Sequence, residues 1–213
     1  RAAGALARLK RDVHDLSKDD TVFKLSGLTE SGRKRAALRS VFQLDEAFYA
    51  ALARGREFLG ADALALYWRA APEDGFHLRE ISTLRDKINS DHLVIPGLGF
   101  LGWAVGQDRP ARSSGRPRSG ESLPYFDPAR PFAHALSAPV MAGDWAQGLL
   151  VADRDQGGDF NEKDEDFMQA LASQVMELHQ HAALLKRSEA EAAQSRALAE
   201  LAHRLSRTLD QDE

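Results

Sequence analysis

Histidines, a glycine-rich loop and clustered carboxylates are the residues of this chain whose types could carry chemistry, and there is no cysteine among them. Without a thiol, disulfides, thiolate metal sites, a cysteine nucleophile and a thioether-linked chromophore are all excluded. The spacings of His77, His92 and His134 match no zinc or haem pattern, so these side chains read as structural or solvent-facing. His179 and His181 lie two apart, and on a helix they point in different directions. His203 is followed by Arg204, where a phosphoacceptor histidine would have an acidic neighbour.

Gly97-Leu-Gly-Phe-Leu-Gly102 has the spacing of a dinucleotide-binding loop. Ile95-Pro96 precedes it and an arginine-rich coil follows, so close helix packing explains these glycines better. Asp153, Asp155, Asp159 and the acidic residues of 162–166 read as turn, cap and solvated helix groups, not as an acid-base pair across a cleft. Ser137 belongs to no nucleophile motif. No catalytic set and no metal site emerges from this inventory.

Hydrophobic periodicity supplies the elements that would position these residues. Leu6, Leu9, Val13 and Leu16 predict an amphipathic helix over 1–18, either a linker helix that packs on a dimer mate or a membrane-surface helix. Residues 19–32 carry breakers and predict an irregular connection. Ala37, Val41, Leu44, Phe48, Ala51 and Leu52 predict a second helix, from near Arg33 to Phe58. Residues 61–68 set Ala63, Ala65 and Tyr67 against Leu64, Leu66 and Trp68, as a strand apolar on both faces does. A turn at 72–75 and a returning strand at 76–84 follow.

Residues 97–106 predict a short helix in which Gly102 allows close approach to a sheet. Residues 108–131 hold five arginines and five prolines, the composition of a long loop, either a lid over a pocket or a surface excursion. The runs 135–141 and 148–153 predict a hairpin of buried strands. Asn161 reads as a helix cap, with Asp164 three residues on and acidic groups in the first turn, where the helix dipole favours them.

From that cap an apolar stripe continues through Phe167, Leu171, Val175, Leu178, Ala182 and Leu185, and resumes at Leu198, Leu201, Leu205 and Leu209. Such a helix, about 45 residues and roughly 70 Å long, cannot be covered by one small domain. A second copy in a parallel coiled coil would cover it, with Leu171, Val175, Leu178, Ala182, Leu185, Leu198, Leu201 and Leu205 in the dimer interface. The weaker stretch 188–195 marks a shift in heptad phase.

The chain has 213 residues, 43% hydrophobic and 28% charged, which suits one ordinary domain with helical flanks. A net charge of -4 and the absence of a coherent basic face argue against nucleic acid. No apolar run is long enough to span a membrane and no signal peptide is evident, so a cytoplasmic location is expected. Both ends read as cuts from a longer protein.

Four blocks in order resemble the GAF domain family across residues 44–180. Gly99-Phe-Leu-Gly-Trp-Ala-Val-Gly-Gln-Asp-Arg-Pro110 is similar to the family's central helix and the proline beyond it. Ala135-Leu-Ser-Ala-Pro-Val-Met141 and Gly148-Leu-Leu-Val-Ala-Asp153 resemble two of its strands, and Phe160 to Gln174 its last helix. The resemblance implies an α+β fold, an antiparallel sheet of five or six strands with flanking helices, a small-molecule cup beneath the central helix, and the long C-terminal coiled-coil helix.

On this reading residues 1–40 are an N-terminal helix and linker, 41–180 the sensory domain, and 181–213 a signalling helix. The cup would be lined by Leu66, Trp68, Phe100, Trp103, Tyr125, Phe126, Phe132 and Trp145, with Arg112, Arg116 or Arg130 able to meet an anionic group. The missing cysteine excludes a covalently attached bilin, and no other cofactor is specified. The implied function is a non-catalytic sensor that binds a small molecule or partner as a homodimer. It would pass a signal to an output domain such as a kinase or cyclase, in two-component or cyclic-dinucleotide signalling. The alternative is a dimerisation scaffold whose cup is filled by its own side chains.

Overall fold

The computed structural model describes residues 30–209 other than 87, 115–122, 124 and 127–131, so the expected helix over 1–18 and most of the connection after it lie outside the described residues. Along the chain run α1 (Glu30–Leu59), β1 (Ala63–Trp68), β2 (Phe76–Thr83), β3 (Leu93–Val94), α2 (Gly99–Val105), β4 (Ala111–Ser114), β5 (His134–Ala142), β6 (Trp145–Arg154) and α3 (Glu162–Leu209). The strands form one six-stranded antiparallel sheet in the order β3-β2-β1-β6-β5-β4. Ser40–Leu184 make one compact unit, and the described residues 30–39 and 185–209 belong to a second. Among the described residues no helix is long and apolar enough to cross a membrane.

Two strands were not anticipated. β4 lies inside the segment expected to be loop, and its Ala-Arg-Ser-Ser sequence has no apolar alternation of its own. It is a strand because the long neighbour β5 offers it a ladder, pairing Ala111 with Ser137 and Ser113 with Ala135. β3 is only two residues long, below the reach of any periodicity.

Side-chain alternation divides the sheet into two cores. On one face Leu64, Leu66, Leu136, Val140 and Leu150 pack against Phe48 and Leu52 of α1 and Met168, Leu171 and Val175 of α3. Leu171 and Val175, expected in a dimer seam, are therefore buried inside their own chain, and Leu178 packs against the same core. The stripe turns outward further on: Leu184, Leu185 and Leu198 are 62%, 66% and 60% exposed. Ala182 is half-buried, and the side chains of Leu201 and Leu205 lie outside the described residues. The correction has a simple cause, since the first turns of a stripe are claimed by the nearest apolar surface, which here is the sheet.

α3 begins as its sequence suggests. Asn161 Oδ1 accepts the amides of Lys163 and Asp164 at 2.9 and 3.4 Å, while Asp164 Oδ2 accepts the amide of Asn161 at 2.9 Å, a reciprocal cap. Arg154 ties this start to the end of α1: its guanidinium donates to the carbonyls of Leu59, Gly158 and Asp159 and lies 4.1 Å from the Phe160 ring centroid. Gly102 serves close packing, but against backbone and not against the sheet. A Cβ there would stand 2.2 Å from the Ile95 carbonyl oxygen.

Candidate functional site

The opposite face of the sheet is where the polar chemistry collects. β1 alternation turns Ala63, Ala65 and Tyr67 toward it, and β6 adds Leu149, Val151 and Asp153. Phe76 comes from β2, Leu101 and Val105 from α2, and Leu123, Tyr125, Phe126 and Phe132 from the segment between β4 and β5. That segment is fastened at Tyr125 and Phe126: the Asn89 amide donates to the Tyr125 carbonyl at 2.9 Å, and Ile88 bridges to Phe126.

A line of polar side chains runs through this apolar cup. The His92 and Tyr67 rings meet edge to face with centroids 6.2 Å apart, and Tyr67 lies 6.5 Å from Tyr125. The Tyr125 hydroxyl donates to Asp153 Oδ1 at 2.5 Å. Arg85 completes the line, 3.6 Å from Asp153, 2.7 Å from Asp62 and 3.2 Å from Asp155, with its guanidinium 5.3 Å from the Phe126 ring. Asp153 is 1% exposed, so the expectation of a solvated turn residue is corrected: it is a buried acid at the end of β6. Burial pushes its pKa up to about 6, against the opposing pull of the Tyr125 hydrogen bond and the Arg85 charge. The Tyr125 hydroxyl is raised well above its usual range, by burial first and by the Asp153 charge second.

The carboxylates of Asp62, Asp153 and Asp155 offer oxygens within 4.8 Å of one another, a spacing that a cation could bridge. Arg85 already supplies the positive charge there, so the cluster is read as an internal ion network. Tyr67 Oη and His92 Nδ1 are buried and have no hydrogen-bond partner among the described residues, and the same is true of Arg85 Nη1 and Asp153 Oδ2 inside the network. Burial raises the Tyr67 hydroxyl above its usual range and lowers the pKa of His92, which favours a neutral imidazole.

Of the residues expected to line the cup, Tyr125, Phe126 and Phe132 are buried in the apolar cluster on this face, and Phe100 packs against it. Leu66 and Trp68 lie on the other face, Trp68 with ring centroids 6.1 Å from Phe48 and 4.7 Å from His179. Gly148 beside it is needed, because a Cβ would stand 2.8 Å from the indole. Trp103 is 51% exposed and lines a separate cleft of about 320 Å³ with Gln107, Arg109, Pro110, Ala111, Arg112 and Glu165. Arg112 is engaged there, 2.5 Å from Glu165 and donating to the Phe160 carbonyl at 2.9 Å, so it braces the first turn of α3 instead of facing the cup. Arg116 and Arg130 lie outside the described residues. Trp145 sits on the β5–β6 hairpin, 5.2 Å from the Arg69 guanidinium.

Tyr67, His92, Arg85 and Asp153 were not foreseen as part of the site. For Tyr67 the signal was present, because it shares the parity of Ala63 and Ala65, the small residues that floor the cup.

A family model described as the GAF domain matches residues 43–177. No curated protein matches the sequence. Among solved structures, the GAF domain of a phosphoenolpyruvate-protein phosphotransferase from Coxiella burnetii is 20% identical with a TM-score of 0.56, over 73% of this chain and 98% of that one. The GAF-B domain of DevS from Mycobacterium smegmatis is 23% identical with a TM-score of 0.53, over 68% and 98%. A type II free methionine-R-sulfoxide reductase from Thermoplasma acidophilum is 18% identical with a TM-score of 0.53, over 65% and 93%. At these identities the likeness is one of fold.

Proposed function

The chain belongs to the GAF domain family, whose members are regulatory and sensory modules, and on that premise we propose that residues 40–184 bind a small molecule in the cup and report its presence through α3. One observation carries this reading. α3 covers the sheet with Met168, Leu171 and Val175, and the same 48-residue helix then continues with Leu184, Leu185 and Leu198 exposed. A helix that closes one core and presents apolar residues beyond it is suited to relay a change in sheet packing to a second copy, and from there to an output domain. Tyr67 and Trp68 support the same route, since they are neighbours in β1 that face the cup and the helices respectively.

The proposed role is regulatory and not enzymatic. Sulfoxide reduction of the cysteine-dependent kind is closed to a chain that has no cysteine. A scaffold with a filled cup is the second reading, favoured by the complete burial of Tyr67, Phe76, Tyr125 and Leu149.

Native mass spectrometry separates the two. The sensor reading expects a dimer that carries a small molecule through gentle purification. A dimer with no adduct, whose melting temperature no metabolite raises, supports the scaffold, and a monomer at micromolar concentration overturns the helix-mediated relay.

A further inference from the structure

α3 parts from the sheet at a contact between two rings. Resting on the reading of α3 as the relay, we propose that His179 is a proton-sensitive latch: the neutral imidazole holds the last sheet-bound turn of α3 against Trp68, and protonation releases it.

The contact is assembled from both helices and three strands. Trp68, at the end of β1, has its ring centroid 4.7 Å from that of His179 in α3 and 6.1 Å from that of Phe48 in α1, with the indole and imidazole planes tilted by 48°. β6 makes room for the indole with Gly148, where a Cβ would stand 2.8 Å from it. β2 contributes a charge. The β1–β2 register shifts so that Leu66 faces Glu80 and Tyr67 faces Leu78, which leaves Arg79 as an extra residue with nothing opposite it. An inserted residue of this kind re-aims a side chain, and here the Arg79 guanidinium is the charge that acts on His179. Asp45 of α1 holds that guanidinium at 2.6 Å.

Position gives the contact its leverage. Before it, α3 is anchored in the core by Met168, Leu171, Val175 and Met176; after it, Leu184 and Leu185 are exposed, with Ala182 half-buried between. His179 is itself half-buried, so a proton can reach it while the core behind it stays closed.

A charged imidazole is worse off here than a neutral one. Burial first, and the Arg79 charge second, lower its pKa below the 6.5 of a free histidine. Asp45 is already engaged by Arg79, and Glu177 and His181, two places to either side on α3, are exposed. An indole face attracts a cation, but weakly where water reaches the pair. A histidine whose pKa is depressed by packing favours the packed form above 6.5 and loses that preference as pH falls toward its folded value, by at most about ten-fold per pH unit. The sign is opposite to that of the buried Asp153, so whole-domain melting mixes the two and a readout confined to α3 is required.

Hydrogen exchange on the intact chain supplies it. Protection of residues 172–182, corrected for the intrinsic pH dependence of exchange, should fall by about three-fold or more between about pH 7.5 and about pH 5. His179→Phe keeps a ring against Trp68 with no proton to gain, and should hold protection constant over that range. His179→Gln should do the same from a lower starting level, and carries the comparison if the Phe variant does not fold. The His179 ring signals in NMR, assigned by their loss in the variant, should titrate below 6.5. A titration at or above 6.5, or a fall in protection that survives both substitutions, overturns the latch. Neither measurement needs a ligand or a second copy, so the latch can fail while the sensor reading stands, and the dimer and its adduct are judged separately by native mass spectrometry.

Discussion

On the helix-covered face of the sheet, Leu64, Leu66, Val140 and Leu150 meet the aliphatic and aromatic side chains of α1 and α3, and polar groups enter only at the margin, His179 beside Trp68 and Ser82 under Arg56. On the cup face, two tyrosines, a histidine and a buried aspartate are threaded through apolar side chains, and an arginine with three carboxylates closes one end. The first face answers mainly to shape and water exclusion. The second also answers to protons and hydrogen bonds, so it is the face on which a small molecule has something to alter.

The sharpest way to break this contrast is to cut into the helix face. Leu150→Ala should destabilise the domain by about 2–5 kcal/mol with little dependence on pH, read by urea denaturation, because it opens a cavity among the apolar side chains at the centre of this core. If that loss varied with pH, the division between the faces would fail.

The cup face should show the complementary behaviour. The pKa of Asp153 rises from 3.8 to about 6 on folding, so the folded protein holds this proton more tightly than the unfolded chain. The stability this adds is complete below about pH 4, declines as pH climbs through 6, and is gone above it, a change of roughly 3 kcal/mol at most. Melting temperatures across that range should therefore fall with rising pH on this account, and Asp153→Asn should flatten that part of the profile. An unchanged profile in the variant would place the titrating group elsewhere.

Smaller effects sharpen the boundary between the domain and the helix that leaves it. Asn161→Ala removes the cap of α3 and should lower stability by about 1 kcal/mol in the same denaturation assay. Leu185→Ser should change domain stability by less than about 0.5 kcal/mol, as exposed positions do, while weakening self-association in sedimentation velocity. Leu171→Ser should do the reverse and unfold the domain first.

How much of this was legible in the sequence differs between the faces. The helix face was readable because stripes at three and four residues and alternation at two translate directly into burial: the strands β1, β2, β5 and β6, the short helix and the Asn161 cap all followed from such patterns. The first turns of the α3 stripe were misassigned, since periodicity shows which residues are apolar but not whether a sheet or another helix covers them. Leu171 and Val175 fell on the wrong side of that choice.

The cup was harder to read, because it is assembled from distant segments. Arg85 lies beyond the end of β2, Asp153 at the end of β6 and Tyr125 in a proline-rich stretch, and nothing in their local spacing announces that they meet. Trp68 and Trp103 were assigned to the cup for their size, yet parity puts the first on the helix face, and α2 turns the second outward.

The sheet ends on one side in β3, of two residues, and on the other in β4, of four. β3 covers only Phe76 and His77 of β2, and β4 only residues 134–137 of β5, so among the described residues the rest of both long strands has a strand neighbour on one side alone. A register shift between Val140 and Met141 twists β5 against β6 within its uncovered half, and such a twist blunts an edge that a straight strand would leave open to an incoming chain.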